Sequence, residues 1–115
     1  MLSTYLKSYL TYKDKYVYVY KEGLIFGDRN KVTGVQHGDI DMIIEARHKH
    51  RIKLYRIIHV FLKDGRYFYF TTDIAKYKAF KVMLREHYES CYYVREHLFP
   101  EGVEATKENL MDETI

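Results

Sequence analysis

Between Ile52 and Tyr88 the hydrophobic period changes once, and that change constrains the fold more than any other feature of the chain. Ile52-Lys53-Leu54-Tyr55-Arg56 alternates apolar and polar residues, the signature of a strand with one buried face. Ile57, Ile58, Val60, Phe61 and Leu62 continue it with almost no polar interruption except His59, as in a strand that becomes covered on both faces. Lys63-Asp64-Gly65-Arg66 supplies a turn, because Asp-Gly suits a type I′ hairpin whose central residues need positive φ. Tyr67-Phe68-Tyr69-Phe70 returns as the partner strand. Its phenylalanines are expected inside, and its tyrosines, which carry a hydroxyl, outside.

From Thr71 the spacing becomes helical. Thr71, Thr72 or Asp73 offers a side-chain oxygen to cap a helix N-terminus, although no Glu or Gln completes a capping box. Ile74, Tyr77, Phe80, Met83 or Leu84, Tyr88 and Cys91 then recur at spacings of three and four, while Lys76, Lys78, Lys81 and Arg85 lie off that stripe. This predicts one amphipathic helix over 73–91, with Tyr92 to Phe99 as its extension as far as Pro100.

Upstream, Tyr16-Val17-Tyr18-Val19-Tyr20 reads as a strand, turned by Lys21-Glu22-Gly23 and returning through Leu24-Ile25-Phe26. Val32-Thr33-Gly34-Val35-Gln36 reads as a third strand weakened by its glycine, and His37-Gly38-Asp39 as a turn before the alternation of Ile40, Met42 and Ile44. The first twelve residues fit a short helix better than a strand. Hairpins followed by one C-terminal helix predict an α+β domain in which the helix plugs a curled antiparallel sheet. At 115 residues the chain has room for one core.

Thirteen tyrosines and no tryptophan suit a thin sheet with a half-wet outer face. The lone Cys91 excludes an internal disulfide and fits a reducing, cytoplasmic setting; no apolar run approaches membrane-spanning length. Residues 101–115 hold five acidic side chains against Lys107, a net −4, so the formal charge of +3 conceals a body at +7. A basic body favours an anionic partner.

The densest candidate site is Arg47, His48, Lys49, His50 and Arg51, read as a basic loop, with Lys53 and Arg56 on the strand that follows. Clustered cations bind phosphate oxygens or acidic protein surfaces; the plainer reading is a solvated loop that maintains solubility. His48 and His50 share a face of any strand and invite a metal with Glu45, but no third ligand at fixed spacing supports one, so no metal is expected. Tyr55, Tyr67 and Tyr69 beside Lys53, Arg56 and Arg66 resemble a stacking surface for nucleic acid. Tyr covering a sheet face explains them better, and nucleic acid is disfavoured. No nucleophile setting, glycine-rich phosphate loop or supported carboxylate pair appears, so neither catalysis nor a cofactor is expected, and Cys91 reads as a small core residue.

Three stretches in order carry a family resemblance: Tyr18-Val19-Tyr20-Lys21-Glu22-Gly23-Leu24-Ile25, then Gly38-Asp39-Ile40-Asp41-Met42-Ile43, then Phe61 to Phe70 through Asp64-Gly65. They resemble the opening hairpin, the turn into the middle strand and the final hairpin of small bacterial-type pleckstrin-homology-like domains, whose function is largely unassigned. The likeness covers roughly residues 16–90. It implies a partly open β-barrel of about six to seven strands closed by one C-terminal helix; with the charge pattern, the expected division is a domain over 1–100 with its core at 16–91 and an acidic tail over 101–115. Two departures matter. His37-Gly38 replaces the usual aromatic, and Lys21-Glu22-Gly23 does not match the basic pattern that binds inositol phosphates, so phosphoinositide specificity is not implied.

The expectation is a non-catalytic binding module that recognises a protein partner or an anionic surface through its basic loop. The alternative is a structural protein that assembles as a homodimer or larger homo-oligomer through strand edges and Tyr-rich faces.

Overall fold

A computed structural model describes residues 5–10, 15–28, 31–71 and 76–115. Strands β1 (Tyr5–Leu10), β2 (Lys15–Tyr20), β3 (Gly23–Asp28) and β4 (Lys31–Gln36) form one antiparallel sheet in sequence order. The expected first hairpin is present, with Val17 opposite Phe26 and Val19 opposite Leu24. The expected N-terminal helix is not: Tyr5–Leu10 is a strand, and the remainder of residues 1–12 lies outside the described residues. A short helix without a packed face nucleates poorly, whereas the open edge of β2 offers partners to the backbone groups of β1 that face it.

His37–Asp39 forms a 3-10 turn rather than a simple reverse turn. Its His37 ring ties three elements together. Nε2 lies 2.9 Å from the Lys21 carbonyl and must donate to it, so Nδ1 accepts from the Tyr88 hydroxyl.

The second sheet contains β5 (Ile40–His50), β6 (Lys53–Leu62), β7 (Tyr67–Thr71) and β8 (Tyr92–Phe99) in the order β7-β6-β5-β8. The Asp64-Gly65 hairpin forms, but only Gly65 has positive φ, at 92°. Gly65 N donates to the Leu62 carbonyl and Leu62 N to that of Arg66, which makes a three-residue loop with glycine in its last position instead of type I′. Phe70 is buried and Phe68 packs against the core, while Tyr67 and Tyr69 face outward as expected.

Between β7 and β8 lies helix α1 (Tyr77–His87), which buries Phe80, Met83 and Leu84 on the expected stripe. The predicted span of 73–91 is too long. The helix stops at His87, Cys91 sits in a 3-10 turn, and residues 72–75 lie outside the description. Tyr92 to Phe99 is β8, not helix. It pairs parallel with β5, so the sheet is mixed, not wholly antiparallel. The β-prone run Tyr92-Tyr93-Val94 has an open sheet edge to join, and ladder bonds outweigh weak helix propensity.

Val17, Val19, Leu24, Phe26 and Val35 of the first sheet meet Ile43, Ile58, Val60, Leu62 and Phe70 of the second, and Phe80, Met83 and Leu84 of α1 join the same cluster. Phe26 stacks on Phe68 at 4.4 Å, and Phe80 meets Phe70 edge-on at 5.2 Å. Each such side chain contributes roughly 1.5–3 kcal/mol of transfer energy when fully buried. No barrel closes: a cleft of about 230 Å³ separates Lys31 and Thr33 of β4 from the aromatic residues of β7.

The other face of the second sheet is covered too. Ile44, Ala46 and Phe99 pack against Leu110 of α2 (Lys107–Met111), a five-residue helix capped by Thr106 Oγ1, which accepts from Asn109 N at 3.1 Å. Double coverage explains why Met42-Ile43-Ile44 does not alternate.

Candidate anion-binding site

The residues Arg47 to His50 are not in a loop. They are the last four residues of β5, and Arg51-Ile52 alone makes the turn to β6. The period-2 rule therefore divides the cluster. Arg47 pairs with Arg56 and Lys49 with Leu54 on one face, while His48 pairs with Tyr55 on the other. His50 stands opposite Lys53 in the backbone register, next to the turn. Arg51 takes a left-handed φ of 58° and donates its backbone N–H to Glu101 Oε2 at 3.2 Å. So the seven candidates lie near one end of one hairpin without forming a single patch.

That end runs past β7, while β8 accompanies β5 as far as His48. β7 pairs with β6 only from Ile57 onward, which leaves residues 53–56 beyond it. On the face with Arg47, Lys49 and Arg56, Leu54 is 57% exposed and Leu98 of β8 is also exposed; Ile52 at the tip is 99% exposed. Large apolar side chains standing among cations are the least expected feature of this surface.

Where the overhang meets α1, sequence reasoning missed a residue that matters. Glu45 is 1% exposed, yet it is a carboxylate. It accepts from Arg56 Nη1 at 3.1 Å, from Arg85 Nη2 of α1 at 3.0 Å and from the Tyr92 hydroxyl at 2.7 Å. A buried charge persists only when paired and hydrogen-bonded, and here both conditions hold. Burial and the Glu45 charge together push the Tyr92 hydroxyl pKa upward. The alternation of Ile40, Met42 and Ile44 set Glu45 on the opposite, polar face and so predicted exposure, and nothing local identified Arg85, forty residues away, as its partner.

On the opposite face, His48 does not pair with a metal-binding neighbour in sequence. Its Nε2 lies 2.9 Å from Nε2 of His59, whose Nδ1 lies 2.7 Å from the Tyr67 hydroxyl. Burial drives the His59 pKa down to about 3, and burial followed by the Arg95 charge lowers that of His48. Both rings are neutral, so one Nε2 donates and the other accepts. The nearby guanidinium makes this a poor place for a cation. Among the described residues no group of three or more His, Cys, Asp or Glu is placed to hold a metal. Cys91 is half-buried and its thiol pKa is raised by burial, the reverse of an activated nucleophile. No helix in the described residues is long and apolar enough to cross a membrane.

Among known proteins, no family model matches the chain and no curated sequence does.

Proposed function

We propose that this chain is a non-catalytic binding module on a pleckstrin-homology-like scaffold, and that the overhanging end of β5 and β6 is its recognition surface for an anionic partner. One observation carries the reading: Arg47, Lys49 and Arg56 stand beside exposed Leu54 and Leu98 on one face of the sheet. The ordered sequence motifs and the two packed sheets with a helix at one end support the scaffold. Cations steer a negatively charged partner to the surface, and the apolar side chains hold it once water is displaced.

The test is a triple charge reversal, Arg47→Glu, Lys49→Glu and Arg51→Glu, measured by co-sedimentation with anionic and neutral vesicles. The wild type is expected to bind anionic vesicles, with the variant about tenfold weaker or worse. No wild-type binding, or no loss on reversal, ends the reading.

A further inference from the structure

The hairpin of β5 and β6 carries its two strands beyond both neighbours. β8 pairs with β5 only as far as His48, and β7 pairs with β6 only from Ile57. From His48 to the turn at Arg51 is three residue rises, so the tip stands roughly 10 Å past the last strand beside it. There Ile52 is 99% exposed, and Leu54 behind it is 57% exposed. An aliphatic side chain with its whole surface in water contributes nothing to holding this fold together.

The turn itself is made from costly residues. Arg51 takes the left-handed φ of 58°, a conformation that glycine or asparagine adopts with less strain. Two-residue hairpin turns favour those residues for that reason. Here the turn instead presents a cation followed by an isoleucine, a pair that neither the hairpin nor the core requires.

Cations surround that apolar tip. Arg47 and Lys49 lie on one face with Leu54, alternation puts Lys53 on the other, and Arg51 occupies the turn. Residues 46–56 contain no Asp or Glu. The Glu101 carboxylate, which accepts from the Arg51 backbone N–H, is outnumbered by these four cations. A folded protein partner meets one face of a hairpin, whereas a plane of anionic headgroups receives cations from every side of a tip. Nucleic-acid phosphates would engage the same cations but leave Ile52 in water.

We infer that the tip of β5 and β6 inserts into an anionic lipid surface, with Ile52 entering the boundary between headgroups and acyl chains. Arg47, Lys49, Arg51 and Lys53 meet the headgroup charges around it, and Leu54 follows on the side of Lys49. Apolar side chains at such a boundary sit roughly 5–10 Å deep, which is the depth that the free length of this hairpin spans. The inference rests on the anionic-partner reading and names that partner as a bilayer.

The experiment uses the full chain with phosphatidylcholine vesicles, with and without phosphatidylserine. The sequence has no tryptophan, so Ile52→Trp places a single reporter at the tip. Its emission is expected to move to shorter wavelength on phosphatidylserine vesicles and to be quenched by bromine carried on the acyl chains. Val82→Trp, at an exposed position on α1, is expected to do neither. Ile52→Gln changes a side chain that packs against nothing, so the melting temperature holds while vesicle binding weakens about tenfold. Binding of the same variant to heparin, a soluble polyanion without a hydrocarbon layer, is expected to be unchanged. Emission from Ile52→Trp that stays at its aqueous wavelength on bound vesicles overturns insertion, as does wild-type affinity in Ile52→Gln. The anionic-partner reading survives either result as long as the triple charge reversal still abolishes binding. If the wild type binds no anionic vesicle, both fall.

Discussion

Arg95 Nη2 on β8 donates to the Ile115 carbonyl at 2.7 Å, across twenty residues of chain. The same guanidinium reaches the carbonyls of Asn109, Leu110 and Asp112, and donates through Nε to His97 Nε2. These carbonyls belong to the last turn of α2 and the residues beyond it, where a helix leaves acceptors unsatisfied. A buried cation at that end also complements the helix dipole.

Arg95 therefore fastens residues 107–115 over Ile44, Ala46 and Phe99. Replacing it with methionine keeps the length and the packing on Phe99 but removes every donor. The expected loss is about 2–4 kcal/mol of unfolding free energy, read by urea denaturation. Hydrogen exchange at Leu110 and Met111 is expected to rise further than at Phe80 and Leu84 of α1. Equal protection in the two helices would contradict the role given to Arg95.

The His48–His59 pair predicts how stability varies with pH. In the folded protein the His59 pKa is near 3, whereas in the unfolded chain it returns to about 6.5. Between those values the unfolded state binds a proton that the folded state refuses, so stability is complete above about pH 6.5 and falls as pH drops toward 3. Denaturant midpoints measured from pH 7.5 to 4 are expected to decline in the wild type and to flatten in His59→Gln. The same slope in both proteins would show that another group is responsible.

Two glycines predict opposite outcomes. A Cβ on Gly23 would collide with the Val35 carbonyl oxygen and Gln36 Cα, backbone atoms that cannot step aside. At Gly34, in the middle of β4, a Cβ meets nothing. Gly23→Ala is expected to lower stability by about 2 kcal/mol or more, and Gly34→Ala to be neutral or slightly stabilising because it reduces unfolded-chain entropy. Thermal melts of the two variants compare them directly, and equal melting temperatures would refute the close approach at Gly23.

Much of the architecture was legible from local pattern. The period-2 run at Tyr16–Tyr20, the doubly covered run at Ile57–Leu62, the Asp64-Gly65 turn and the Phe80-Met83-Leu84 stripe each carry their own physical cause in neighbouring residues. The alternation at Ile52–Arg56, by contrast, does not bury its apolar face, since Ile52 and Leu54 are exposed. Tyr5–Leu10 and Tyr92–Phe99 misled for a common reason. Both have apolar spacing compatible with a helix, and both became strands because another strand offered an open edge. The candidate cations were found by composition, yet alternation along β5 sent Arg47 and His48 to opposite faces, and no count of charges reveals that.

What the residue order determined by itself is an α+β chain of short hairpins, one amphipathic helix and a basic body with an acidic end. Only the tertiary structure decided that β8 runs parallel to β5, that Arg95 holds the C-terminal segment, and that Glu45 gathers Arg56 and Arg85. The physical reason is range. Hydrophobic period and turn chemistry act over a few residues, whereas a buried charge is satisfied by whatever partner the packing brings to it, and here that partner lies forty positions along the chain.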